Sequence, residues 1–537
     1  MRAEAIGHGS AGTGSPRRWL ALAVLCVSLL IVTLDNTVLN VALPTLVGRL
    51  HASLSDLQWI VDAYVLAFAG LMLVSGSLAD RVGRKRTFLA GLVLFAGCSA
   101  WAAFSGSVGH LIAARASMGA GGALIMPSTL AVITNTFTDP RERQRAIGLW
   151  AATSGAGIAA GPIIGGLLLD HFWWGSVFLV NVPVAALGFA LAVPLVPDSR
   201  DPSARRPDAV GSLLSVAGLG LLLCAIIEAP VHGWSSALVL GTGIGGLAVL
   251  AAFVEWEHRS THPMLRLAFF RDRRFSAPIV SVSLMMFGLF GSMFVLTQFL
   301  QFQLGYTPLQ AGVRILPAAG AIAVVAPLAD RLVGAAGTRV TIAGALLMAA
   351  AGFWQMSGAT VDTTYGGVVV GMILVGASAG LVIPSATASV MGSLPQEHTG
   401  VGAATNGTFL QTGGALGVAV IGNLLSNRYE GRVSAALAPL HLPQVLEQAV
   451  RSSVGAALAI AHQLGGAPGA AVADAARSAF MSGMDLGLFA AAVVALAAAA
   501  IALATLPGRT RFRRPPGTGP AAPPPVGQND TCPPSPA

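Results

Sequence analysis

The 537-residue chain is 54% hydrophobic and 10% charged, with a mean hydropathy of +0.72. A soluble chain carries about 25% charged residues, so in water this one would leave most of its surface apolar; lipid is its natural solvent. The net charge is +8, but the 30 Arg and single Lys (Lys85) fall in short clusters between apolar runs, which excludes a nucleic-acid-binding patch. The four cysteines, Cys26, Cys98, Cys224 and Cys532, have the spacing of neither a disulfide framework nor a metal site.

Apolar runs of about 20 residues cross a bilayer as helices. They fall near 19–43, 57–79, 87–107, 109–136, 146–169, 173–196, 209–229, 235–256, 275–300, 310–332, 338–358, 366–392, 400–426 and 481–506, so fourteen spans are expected. Ser15-Pro16-Arg17-Arg18 resembles the start of a twin-arginine signal. The run that follows contains Asp35 and precedes many more spans, so it reads as a retained first helix.

Basic residues orient the spans. With the N-terminus inside, 24 Lys and Arg fall on the cytoplasmic side and 5 outside (Arg49, Arg428, Arg432, Arg451, Arg477). The remaining 2, Arg115 and Arg314, lie within spans. Cytoplasmic loops hold the positive excess, so both termini are expected in the cytoplasm, with the chain multi-pass in the cytoplasmic membrane.

Leu78-Ala79-Asp80-Arg81 ends span 2 and recurs as Leu328-Ala329-Asp330-Arg331 at the end of span 10. Met126-Pro127-Ser128 in span 4 recurs as Ile383-Pro384-Ser385 in span 12. Both matches map span n onto span n+8, which indicates two six-helix bundles around an inserted pair. The expected organisation is a cytoplasmic tail (1–18), a first bundle (19–196) and the inserted spans 7 and 8 with their preceding loop (197–256). A second bundle (257–506) follows, including an outer loop at 427–480, and a disordered Pro-rich tail (507–537) ends the chain.

Three strings carry more than composition. Between spans 2 and 3, Gly76-Ser77-Leu78-Ala79-Asp80-Arg81-Val82-Gly83-Arg84-Lys85-Arg86 combines glycines that permit a tight turn with an Asp placed to pair with a cation or cap a helix. An ordinary basic loop accounts for Arg84 to Arg86 but not for Gly76, Asp80 and Gly83 in that frame. Span 5 carries Gly148, Gly157, Gly161, Pro162, Gly165 and Gly166. Small residues four apart let a second backbone approach, and Pro162 bends the helix. Span 1 carries Leu34-Asp35-Asn36-Thr37-Val38-Leu39-Asn40-Val41-Ala42-Leu43-Pro44.

The first string resembles the loop 2–3 signature of the major facilitator superfamily, and the second resembles the antiporter signature of its drug exporters. The third is similar to the first-helix signature of the fourteen-span drug:proton antiporters (EmrB/QacA type). Trp59…Tyr64, Arg115…Gly119 and Trp174…Phe178…Asn181-Val182-Pro183 fit the same family. In the second-half copy of the loop string, Gly334 and Gly337 are displaced. The resemblance covers roughly residues 19–506. It implies an all-α integral membrane protein of the major facilitator fold with 14 transmembrane helices, in which spans 1, 4, 9 and 12 border a cavity.

Ionisable residues inside a membrane cost about 2.5–3.5 kcal/mol at a helix centre on insertion scales and are functional by default. At 1.5 Å per residue, Asp35 lies roughly 12 Å, Asp62 roughly 8 Å, Arg115 roughly 9 Å and Arg314 roughly 6 Å from the outer ends of their helices. The four share a layer. Desolvation favours a neutral carboxyl and a nearby guanidinium favours a charged one, so a change in either loads or releases a proton. Asp35 is the leading expected carrier and Asp62 the second, with Arg115 tuning both. The alternative is a structural Asp–Arg pair.

Thr33, Asn36, Thr37 and Asn40 make one stripe on span 1, with Asp35 on the opposite side, so this span is expected in the interior. In span 9, Met286, Phe290, Met293, Phe294 and Thr297 share a face, with Gln301 beyond. Soft Met and aromatic faces suit varied apolar ligands; a lipid-facing stripe is the competing reading. Asn36, Asn40, Met286, Phe290, Phe294 and Arg314 are the candidate cavity residues.

The expected function is proton-coupled export of amphipathic or cationic drugs by alternating access, the partners being substrate, protons and lipid. A dedicated exporter of an endogenous metabolite is the alternative. No cofactor beyond the proton gradient is expected, and the chain is expected to act as a monomer. Neither a nucleotide-binding loop nor an enzyme's catalytic constellation is present, and the 10 histidines are scattered.

Overall fold

All regular secondary structure among the described residues is helical. The computed structural model describes residues 17–199, 208–260, 263, 267–394, 399–438 and 443–506. The expected Pro-rich tail and residues 1–16 of the expected N-terminal tail lie outside them.

The first bundle comprises α1 (Arg17–Leu50), α2 (Leu54–Val82), α3 (Arg84–Ala103), α4 (Val108–Thr136), α5 (Pro140–His171) and α6 (Ser176–Leu195). The inserted pair is α7 (Ala209–His232) and α8 (Ala237–Arg259). Next come α9 (Arg273–Gln303), α10 (Pro308–Ala336), α11 (Thr338–Ser357), α12 (Tyr365–Gly392) and α13 (Thr399–Leu437). Two short helices, α14 (Gln444–Ser452) and α15 (Val454–Leu464), precede the closing α16 (Gly466–Thr505). Among the described residues, thirteen of these are long and apolar enough to cross a membrane. The expected fifth span, α5, is a 32-residue helix; Arg141, Glu142, Arg143 and Arg145 lie in its first turns, and beyond them no charged residue occurs before Asp170.

Local sequence sets the ends of these helices. Ser53 and Asp56 form a capping box on α2, with Ser53 N–H donating to Asp56 Oδ2 at 2.8 Å, and Thr307 and Gln310 form another on α10, with Pro308 as its first residue. Gly83 (φ 123°) ends α2, and Gly337 (φ 87°) ends α10. These dihedrals favour glycine. The displaced glycine of the second-half string thus makes the same turn as Gly83.

Within the first bundle α1 packs on α5 and α6, α2 on α4, and α3 on α4 and α6; within the second, α9 packs on α12, α13 and α16, and α11 on α12 and α16. Two seams join the bundles, α2 against α13 and α5 against α10, while α7 rests on both α2 and α13. The repeat maps α5 onto α13 and α2 onto α10, so the α5–α10 and α13–α2 seams are equivalent, as a repeated bundle requires.

The side-chain bonds across the bundles sit mostly at the end where α1 finishes, here the distal end. Gln301 Nε2 donates to Val41 O (2.9 Å), Thr307 Oγ1 to Asp170 Oδ2 (3.1 Å), and Gln58 Nε2 to Val418 O (3.2 Å) and Ala419 O (3.0 Å). Thr408 Oγ1 reaches Ala69 O (3.4 Å) near the middle of α2. The segment 427–480, expected as an Ala-rich and partly helical outer loop, is mostly helical among its described residues, with breaks at Pro443, Ser453 and Gly465. α13 continues through it to Leu437, and α16 begins at Gly466 rather than near 481. A Cβ on Gly455 of α15 would lie 2.7 Å from Phe302 and 2.9 Å from Val47, so this segment lies over α1 and the end of α9.

Candidate functional site

Four helices of the first bundle meet around one charge pair. Asp35 on α1 and Arg115 on α4 form a salt bridge and are 2% and 1% exposed. Arg115 Nε donates to Ile60 O on α2 (3.2 Å), and its guanidinium lies over the Tyr64 ring, 4.3 Å from the centroid. Asn181 on α6 donates to Asp35 Oδ1 (2.9 Å) and to Ser99 Oγ (3.4 Å). The carboxylate therefore has a charged partner on one oxygen and an amide on the other. A buried pair of this kind is held against its desolvation cost only by such complete bonding. Sequence reasoning noted Asn181 as part of a family string and missed it as a ligand of Asp35.

Asp62 is different. It is 0% exposed, and neither carboxylate oxygen has a hydrogen-bond partner among the described residues. Residues three and four apart share a helix face, and Gln58, one turn before Asp62, bonds α13. Further along the same face Ala69 accepts from Thr408, and Met72 meets Gly407. Asp62 thus faces the α2–α13 seam. It is fully enclosed by protein.

The polar stripe on α1 is turned to α5. Thr33 and Thr37 bond carbonyls of their own helix and occupy the space where side chains on Gly157 and Gly161 would go. At Gly165 the crowding comes from Val38, and at Gly166 from Pro308 and Leu309 of α10. The Pro162 carbonyl lies against Gly312 of α10, so α5 is wedged between α1 and the second bundle. Gly148 departs from expectation: it is exposed, with no atom within 4 Å of a would-be Cβ. Its absence of a side chain lets no other helix approach.

Of the candidate cavity residues, Asn36 is half-buried and its carbonyl accepts from Asn40 Nδ2 (3.1 Å), while Asn40 itself is 3% exposed. On α9, Phe290 and Met293 are half-buried, whereas Met286 (5%) and Phe294 (0%) are closed over. Phe290 packs on Gly414 of α13. This face points into protein, not lipid, but Asn40, Met286 and Phe294 do not border open space in this conformation. Arg314 lies elsewhere, over Tyr306 at 3.7 Å, near the distal end of α10.

In the loop 2–3 string, Asp80 binds Arg84 (2.8 Å) across the turn made by Gly83. Arg84 N–H donates to Ser199 O (2.9 Å) and Lys85 Nζ to Val193 O (2.7 Å), tying the turn to the end of α6. Arg81 is exposed. Gly76 makes no turn; it lies inside α2 with open space around it.

The Major Facilitator Superfamily model matches residues 25–418. The chain belongs to the major facilitator superfamily. It is a multi-pass membrane transporter and not an enzyme. It is 35% identical to the tetracenomycin C resistance and export protein of Streptomyces glaucescens, over 93% of this chain and 94% of that one. It is 36% identical to the multidrug efflux pump LfrA of Mycolicibacterium smegmatis, over 90% and 95%. A solved bacterial homolog of the human lysosomal transporter Spinster, inward-facing and unoccupied, superposes with a TM-score of 0.60 at 19% identity. It covers 92% of this chain and 99% of that one, and it shows the shared fold.

Proposed function

We propose that this chain exports drugs and antibiotics across the cytoplasmic membrane in exchange for protons. The functions of two relatives, antibiotic resistance with export and multidrug efflux, support the direction and the substrate class over a dedicated metabolite exporter. All fourteen long helices span the membrane, α5 included, with residues 19–196 and 257–506 as the two moving bundles and 197–256 as the inserted pair. The excess of Arg and Lys supports a cytoplasmic position for the end where α1 begins. The bonds joining the bundles at the distal end then close the outer side, and substrate enters from within.

One observation carries the coupling: Asp62 is sealed on an inter-bundle seam with neither oxygen partnered among the described residues. An unpaired carboxylate is too costly to bury charged, so Asp62 holds a proton in this conformation. Parting of α2 from α13 admits water and lets the proton move. The Asp35–Arg115 pair stays inside one bundle, where it sets the local charge and carries protons only if it breaks. The Gly83 and Gly337 turns flex with the bundles. The transporter acts as a monomer, with no cofactor beyond the proton gradient.

The test is proton release from acid-loaded inside-out vesicles on adding ethidium. Substrate-dependent alkalinisation of the lumen is expected, and its absence with a broad panel of exported compounds overturns the coupling.

A further inference from the structure

Two arginines lie within spans, and the structure treats them alike in one respect and differently in another. Both guanidiniums rest on tyrosine rings: Arg115 on Tyr64 at 4.3 Å, and Arg314 on Tyr306 at 3.7 Å, with Tyr365 at 5.8 Å. Arg115 has a carboxylate, Asp35. No carboxylate among the described residues lies within ion-pair distance of Arg314.

The Arg314 site is built, not incidental. Gly305, at φ 68°, turns the chain so that Tyr306 precedes α10, and Tyr306 N–H donates to Leu300 O (3.1 Å). A long helical side chain leans toward its own N-terminus, which brings Arg314 back over Tyr306. Tyr365 Oη of α12 donates to Arg314 O (2.9 Å), fixing the second ring. Of the five N–H groups of a guanidinium, the structure gives one a protein acceptor, Gln310 O (3.2 Å). Arg314 and both tyrosines are half-buried, so the remaining donors are within reach of a ligand.

We propose that Tyr306, Arg314 and Tyr365 recognise an aromatic anion, a planar ring carrying a carboxylate or phenolate. The anion supplies the charge that Asp35 supplies to Arg115, in the fork geometry a guanidinium favours. The rings stack on the ligand's plane. A cationic group is disfavoured here, because it meets Arg314's own charge. This deepens the exporter reading and rests on it, adding acidic aromatic compounds to the substrate range through a subsite separate from Asp62.

The test compares export of fluorescein, an anionic dye, with that of ethidium, a cationic one, in proteoliposomes with and without phosphatidylglycerol. In Arg314→Met the fluorescein-to-ethidium ratio is expected to fall about tenfold or more, the worth of a charged hydrogen-bonded contact. Arg314→Lys restores the charge without the planar fork, and Tyr306→Leu removes one ring, so both are expected to fall in between. An unchanged ratio in Arg314→Met, equal loss of both dyes, or wild type moving ethidium alone overturns the proposal. If Arg314→Met instead abolishes a dependence on phosphatidylglycerol at constant ratio, the site belongs to a lipid phosphate and the proposal also falls. Wild type moving neither dye overturns the exporter reading itself.

Discussion

Thr37 on α1 stands where a side chain on Gly161 of α5 would have to go: a Cβ built there lies 2.8 Å from Thr37 Cβ and 3.1 Å from Leu34 O. Thr is stiff at χ1 and the carbonyl is backbone, so neither yields cheaply. Gly161→Ala is expected to lower stability by about 1–3 kcal/mol through overpacking, with export falling alongside. Gly148→Ala has open space and is expected to be neutral or slightly stabilising. Thermal melts of the purified proteins in detergent check the contrast.

Asp35 and Arg115 stand or fall together. Arg115→Met leaves the Asp35 charge buried without its cation, which is expected to cost about 3–5 kcal/mol. Asp35→Asn with Arg115→Met removes both charges and is expected to recover most of the folded yield. Size-exclusion profiles of the single and double variants decide between this and simple additivity.

Gly83 makes its turn at φ 123°, and Gly337 at φ 87°. Alanine at either position is strained by about 1–3 kcal/mol. Both variants are expected to slow transport, whereas Gly76→Ala, inside α2 and with free space, is expected to leave its rate within about twofold. Initial efflux rates of a fluorescent substrate at matched expression supply the comparison.

Gln58 donates from α2 to two carbonyls of α13 at the distal end. At about 1 kcal/mol net per hydrogen bond, Gln58→Ala is expected to shift the balance toward distal opening by about fivefold or more. Labelling of a cysteine introduced at Val418 with an impermeant maleimide on intact cells should rise by that factor.

The span positions were legible because each apolar run is about as long as a bilayer is thick, a constraint that packing does not override. The Asp35–Arg115 layer was legible from depth alone. What the sequence withheld depends on helix rotation. Nothing in span 6 says that Asn181 turns to Asp35. Nothing in span 2 says that Asp62, rather than Asp35, is the carboxylate left without a partner. The extension of α13 past Ser426 to Leu437 and the start of α16 at Gly466, before Met481, were missed because Ala-rich sequence remains helical beyond its lipid-length stretch. The turn at Gly337 was hidden by insertion of extra residues after Asp330, which displaced the glycine without changing its use.

Coupling turns on the proton at Asp62. Purified protein in proteoliposomes with an imposed pH gradient can be assayed for uphill transport and, separately, for exchange of labelled against unlabelled substrate at equilibrium. Asp62→Asn mimics the protonated state and keeps the side chain's size. It is expected to abolish uphill transport driven by the gradient while exchange persists. Uphill transport by Asp62→Asn at the wild-type rate would contradict the assignment.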